Sequence, residues 1–218
     1  MKRLNLLFDL DGTLTNNKEG IVRSVQFALD RLGVDLDDTD NLEWVIGPPI
    51  QESFAKLLGL ERKHRVPEAV ELYRERYREK GMFENRVYEG IENTLAELRQ
   101  VSCLYVATSK PTVFSKMILK HFSMDKNFKD IYGSELDGTN TDKAHLIGYL
   151  LEKEKLQPET VVMIGDREHD MIGATKNQIA GVGVGWGFGS EEELITAGAR
   201  QVLKTPADLL KYFLSYPN

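Results

Sequence analysis

The sequence predicts an α/β fold in which a parallel sheet is interrupted by an inserted α-helical subdomain. Two observations carry this. Short apolar runs, each closed by polar or glycine residues, alternate with helical patterns, as parallel strands covered on both faces do. The first two runs are also too far apart for a simple crossover. Asp11 and Thr108 are 97 positions apart, whereas a crossover with its helix takes roughly 30 residues, leaving about 60 over.

The strand runs are Leu4 to Phe8, Cys103 to Ala107, Val161 to Ile164 and Ala180 to Val184. Apolar residues at helical spacing mark the helices. Val113, Phe114, Met117, Ile118 and Phe122 follow Lys110-Pro111. Ala144, Ile147, Leu150 and Leu151 follow Thr141-Asp142, an N-cap pattern. Ile91, Leu95 and Leu98 form another stripe, and Thr205-Pro206 opens a last helix with Leu209, Leu210 and Phe213 on one face. In the surplus segment the stripes are Ile21, Val22, Val25, Ala28, Leu29 and Leu32, then Phe54, Leu57 and Leu58, then Ala69, Val70, Tyr73 and Tyr77. The expected domains are therefore 1–15 with 84–218 as the core and 16–83 as a helical cap.

Net charge is −6, so a basic surface for nucleic acid or an anionic membrane is not expected. No apolar run approaches the ~18 residues of a membrane span. Asp9 and Asp11 cut the first apolar run below the ~7 residues of a secretory segment. With the single cysteine, Cys103, this gives a cytoplasmic expectation.

Ligands of open parallel sheets bind at the C-terminal strand ends. Four polar clusters fall there: Asp9/Asp11, Thr108/Ser109/Lys110, Lys143, and Asp166/Asp170. Asp9, ionised at neutral pH, is a nucleophile that needs no activating base. Neighbouring carboxylates at ~4 Å repel by about 4 kcal/mol at an effective dielectric of ~20. A hard divalent cation with oxygen ligands relieves this, and Mg²⁺ is the natural choice beside a phosphate. Lys143 adds charge, Thr108 can hold phosphoryl oxygens, and Asp11 can carry a proton. Three of these clusters alone also have a plain structural reading: a turn at Asp9–Gly12, a helix cap at Thr108, and a helix N-terminus at Asp166/Asp170. The glycines from Gly181 to Gly189 give no dinucleotide-binding register and read as a strand and loop passing close to the site.

The motifs DLDGTLT at Asp9–Thr15, VATSK with Thr108, TDKAHLI with Lys143 and VVMIGDREHD with Asp166 and Asp170 resemble, in order, those of the haloacid dehalogenase superfamily. The C-terminal GVGVGWGFGSEEELITAGARQVLKTPADLLKYF resembles its phosphoglycolate phosphatase-like branch, and RSVQFALDRLGV and IGPPIQESF resemble that branch's helical cap. The resemblance implies a Rossmann-like core and a Mg²⁺-dependent phosphatase of small phosphate esters (phosphoglycolate, a sugar phosphate or a nucleoside monophosphate). It implies that Asp9 becomes an aspartyl phosphate and that Asp11 is the acid and base. Thr108, Ser109 and Lys143 would hold the phosphoryl group. Mg²⁺ would sit on Asp9, the Asp11 carbonyl and Asp166, with Asp170 in support. The lysine motif lacks the lysine-proline pair of many relatives. Gly47 and Pro48 in the cap loop, and Arg23, are the candidates for contacting the leaving group. Asp11 argues against dehalogenation, because the dehalogenases lack this second aspartate. The alternatives are a β-phosphoglucomutase-like sugar phosphomutase and a non-catalytic binding or regulatory protein. The expected state is a monomer or weak homodimer.

Overall fold

The computed structural model describes residues 3–34 and 42–216, which divide into two compact units, residues 1–16 with 87–218 and residues 17–86. The first unit is built on a six-stranded parallel sheet. Its strands are β1 (Asn5–Phe8), β4 (Cys103–Pro111), β5 (Asp130–Ser134), β6 (Val161–Gly165), β7 (Ala180–Val184) and β8 (Gln201–Leu203), in the order β5-β4-β1-β6-β7-β8. Two further short strands, β2 (Thr15–Asn16) and β3 (Arg86–Val87), pair separately. Successive side chains of a strand point to opposite faces. Leu6, Leu7 and Phe8 are all wholly buried, so β1 is covered on both faces.

The chain runs outward from β1 to β4 and β5, then returns to the other side of β1 for β6. That reversal opens a crevice beyond the C-terminal ends of the central strands. Phe8 pairs with Val106 on one side and Ile164 on the other, so Asp9, Thr108 and Asp166 lie on three adjacent chain segments at nearly one level.

Six helices belong to this unit among the described residues: α4 (Ile91–Val101), α5 (Thr112–His121), α6 (Lys143–Glu154), α7 (Glu168–Lys176), α8 (Glu191–Thr196) and α9 (Pro206–Leu214). Two of the expected caps are formed as read. Asp142 accepts the His145 N–H at 2.8 Å, and Thr205 accepts the Asp208 N–H at 3.1 Å with Pro206 following. Leu146, Ile147 and Leu150 of α6 pack with Leu7, Tyr105 and Met163 of the sheet.

Three expected features differ. Strand β4 continues through Thr108-Ser109-Lys110 to Pro111, whose partner is Ser134 after a register shift. Strands β5 and β8 had no recognisable apolar run. Phe122 caps α5 rather than lying within it.

The second unit holds α1 (Lys18–Arg31), α2 (Ile50–Leu58) and α3 (Val66–Glu79). Val25, Ala28, Leu29, Phe54, Ala69, Tyr73 and Tyr77 are buried, and the Tyr73 and Tyr77 rings stack at 5.3 Å. Gly20 lets α1 pass close to residue 81: a Cβ there would sit 1.9 Å from the Gly81 carbonyl oxygen. Arg76 bridges Glu84 at 2.8 Å and Ser24 at 3.1 Å, tying α3 to α1 and to the segment that follows α3.

Candidate active site

Asp9 is the first residue beyond β1, and its N–H donates to the Ile164 carbonyl at 2.9 Å. Its carboxylate Oδ1 accepts from Lys143 Nζ at 2.7 Å. Lys143 is the first residue of α6, so its stem reaches back under the strand ends. The same ammonium donates to the Ala107 carbonyl at 2.9 Å and pairs with Asp170 Oδ1 at 2.7 Å. Gly173 of α7 leaves room for that stem, since a Cβ there would lie 3.0 Å from Lys143 Cγ. One buried cation therefore joins three strand-end segments.

Asp166 follows β6 and is fully buried. Its Oδ1 accepts from Thr13 Oγ1 at 3.2 Å, and its Oδ2 accepts from the Phe188 N–H at 2.8 Å. Asp170, in the first turn of α7, accepts the Arg167 N–H at 3.2 Å and so caps its own helix. The capping role anticipated for this pair and the charge-site role coexist in one side chain. Gly12 and Gly165 are required by close approach: a Cβ would lie 2.1 Å from Asp166 Oδ2 and 2.1 Å from Asp170 Oδ2, respectively.

Asp11 points to a different partner. Its Oδ2 pairs with Lys110 Nζ at 2.7 Å, and both side chains are buried. Thr108 is buried on β4, one residue past the carbonyl that Lys143 holds, and its Oγ1 accepts the Lys110 N–H at 3.3 Å. The Ser109 carbonyl accepts from Ser134 Oγ at 2.9 Å. In the second unit, Arg23 pairs with Glu19 at 2.8 Å and Glu84 at 3.1 Å, and Gly47 and Pro48 lie in the loop before α2. The sequence groups Lys110 with Thr108 and Ser109 at a strand end but does not give it Asp11 as a partner, and Thr13 and the Phe188 N–H were not singled out. Alternation along β4 places Lys110 on the face of Thr108, which is the one signal that could have marked it.

The buried charges do not balance. Four buried carboxylates, Asp9, Asp11, Asp166 and Asp170, face two buried ammoniums, Lys110 and Lys143. Burial, followed by repulsion from Asp9 and Asp170, drives the Asp166 carboxyl well above its ordinary range. Burial likewise pushes Asp170 up to about 6, although Lys143 pulls the other way. Burial alone would lower the Lys143 ammonium, but Asp170 and Asp9 outweigh it and hold its proton more tightly than usual. Carboxylate oxygens of Asp9, Asp166 and Asp170 lie within 4.8 Å of one another. An all-oxygen donor set with surplus negative charge suits a hard divalent cation.

A pH-dependent stability follows. In the metal-free protein the folded state keeps a proton on Asp170 that the unfolded chain has already lost. Stability therefore falls as pH rises from the ordinary 3.8 towards about 6. A cation needs the ionised forms, so its effect runs the opposite way. Differential scanning fluorimetry should show saturating Mg²⁺ raising Tm by roughly 5–10 °C at about pH 7.5. The rise should be clearly smaller near pH 5. An equal rise at both values would contradict carboxylate ligation.

A model of the haloacid dehalogenase-like hydrolase family matches residues 6–184. A 5′-nucleotidase of Pseudomonas aeruginosa is 56% identical over 191 residues, covering 87% of this chain and 86% of that protein. Tyrosine-protein kinase PtkA of Mycobacterium tuberculosis is 38% identical over 84% of this chain, which spans 62% of the kinase's length. A crystal structure described as a predicted phosphatase from Clostridium acetobutylicum superposes with a TM-score of 0.93 at 43% identity, covering 98% of this chain and 99% of that one.

Proposed function

The chain belongs to the haloacid dehalogenase-like hydrolase family, and on that premise we propose that it is a Mg²⁺-dependent phosphomonoesterase acting on nucleoside 5′-monophosphates through an aspartyl phosphate. The observation that carries the chemistry is the split between the two aspartates of the first motif. Asp9 sits in the Lys143–Asp170 cluster with Asp166, while Asp11 is held apart on Lys110. The name of the 56% identical relative directs the choice of ester.

Lys143 holds Asp9 through Oδ1 and leaves Oδ2 as the attacking atom. Asp9 Oδ2 forms a bond to phosphorus as the ester P–O bond breaks, and Asp11 gives its proton to the departing nucleoside oxygen. A water then attacks phosphorus, Asp11 takes its proton, and the bond to Asp9 breaks to release phosphate. Lys110 pairs with the Asp11 carboxyl at 2.7 Å and holds it in place beside the reacting groups. For the first step an entering phosphoryl dianion would compete for Lys110 and loosen that hold. Thr108, Lys110 and Lys143 would receive phosphoryl oxygens. Mg²⁺, bound by Asp9 and Asp166 with Asp170 behind them, would neutralise the phosphate dianion and draw charge from the transferring group.

A panel of nucleoside 5′-monophosphates, nucleoside 3′-monophosphates, phosphoglycolate and hexose phosphates tests this. With Mg²⁺, the 5′-monophosphates should release inorganic phosphate fastest, and excess EDTA should abolish release. Preferred hydrolysis of another ester would overturn the substrate assignment. An isomerised hexose phosphate in place of free phosphate would indicate a sugar phosphomutase. No turnover of any ester would indicate a binding protein.

A further inference from the structure

The segment joining β7 to α8, Gly185 to Ser190, supplies none of the reacting groups above, yet it wraps the acidic loop. Trp186 Nε1 donates to the Thr13 carbonyl at 3.0 Å, and the Phe188 N–H donates to Asp166 Oδ2 at 2.8 Å. On either side of Phe188 there is room only for glycine. A Cβ at Gly187 would lie 2.3 Å from Asp166 Cβ and 2.5 Å from the Gly12 carbonyl oxygen; at Gly189 it would lie 2.0 Å from the Asp166 carbonyl oxygen. The segment then enters α8, where Ser190 Oγ accepts the Glu193 N–H at 3.0 Å. Glu193 turns back: its Oε1 accepts from Arg167 Nε and from the Glu168 N–H, both at 2.9 Å. Residues 167 and 168 are part of the short link between Asp166 and Asp170, and the Arg167 N–H is the donor to Asp170 Oδ2.

We infer that Glu193 is a positioning residue for the divalent cation site: by holding Arg167 and Glu168 it sets the separation and direction of the Asp166 and Asp170 carboxylates. This rests on the cation reading of the preceding subsection. Glu193 lies outside the cluster of Asp9, Asp166 and Asp170 oxygens that would hold the cation. It acts through the turn that carries two carboxylates, as the outer partners of metal ligands do. Arg167 and Glu193 are both mostly shielded from water, with side-chain exposures of 17% and 24%, so their pairing is less screened than a surface ion pair.

A purely structural role, pinning α8 beside α7, would cost stability without changing cation affinity. The discriminating measurement is Mn²⁺ binding to the substrate-free protein, followed by electron paramagnetic resonance. Glu193→Gln keeps one acceptor oxygen and loses the charge. It should weaken Mn²⁺ binding by about 10-fold. Turnover at saturating Mn²⁺ should stay within about threefold of wild type. Glu193→Ala should weaken binding further. Glu192→Gln, an exposed neighbour on the same helix, should bind as wild type does. Wild-type Mn²⁺ affinity in Glu193→Gln, with or without a lower Tm, overturns the inference. Should wild type itself bind no Mn²⁺, the cation reading fails and takes the inference with it. The Gln variant carries the test if the Ala variant does not fold.

Discussion

Asp9→Asn lowers turnover by at least about 10⁴-fold, the scale seen when a catalytic nucleophile is removed, and leaves the protein folded. The amide is nearly isosteric with the carboxylate and its oxygen can still accept from Lys143, so the lattice of contacts around residue 9 survives. What disappears is the charged oxygen that attacks phosphorus. The variant also removes one of the charges that raise the Asp166 and Asp170 carboxyls. Metal-free Asp9→Asn should therefore melt no lower than wild type, even though its Mg²⁺-induced rise in Tm shrinks. Steady-state kinetics beside a melting curve reads both. Retained turnover would remove Asp9 from the chemistry, and a large fall in metal-free Tm would mean that the carboxylates do not strain one another.

Lys143→Met has the opposite balance of effects. Among the described residues the lysine is the one cation ion-paired with both Asp9 and Asp170. Removing it leaves those carboxylates buried and uncompensated, which costs about 3–5 kcal/mol. For a chain of this size that corresponds to a fall in Tm of roughly 6–20 °C. The loss should be greatest above about pH 7 and smaller near pH 5, because protonation of the carboxylates relieves the unpaired charge. Mg²⁺ should recover part of it by supplying positive charge to the same oxygens. Turnover should fall by roughly 10²–10³-fold, as when one group stabilising transition-state charge is lost. Thermal melts across pH, with and without Mg²⁺, check the stability pattern. A uniform loss at every pH would point to lost packing of the lysine stem instead.

The parts of this protein legible in sequence are those governed by local pattern. Strands β1, β6 and β7 are buried on both faces and read as continuous apolar runs. Their polar ends identify the crevice, which is why Asp9 and Asp166 could be named before any geometry was known. Edge strand β5, Asp-Ile-Tyr-Gly-Ser, and three-residue β8 have too few apolar residues to be distinguished from loops. The end of β4 hid for another reason: Thr-Ser-Lys-Pro is loop-like in composition and becomes strand only through the partner it finds in β5. The Asp11–Lys110 pair depends on how β1 and β4 are set side by side, a distance no spacing rule supplies. Gly187 and Gly189 were readable as a close passage, but not as the walls around Asp166. Glu193 gave no signal, since three successive glutamates at a helix start are ordinary surface composition.

The central claim is that phosphorus is bonded to Asp9 during turnover. The direct measurement is to mix the protein with Mg²⁺ and the best ester of the panel, quench in acid, reduce any acyl phosphate with borohydride, and map the product by peptide mass spectrometry. Homoserine at position 9, absent without substrate and absent in Asp9→Asn, is the predicted result. A reduced residue at another position, or none at any time point while phosphate is being released, would contradict it.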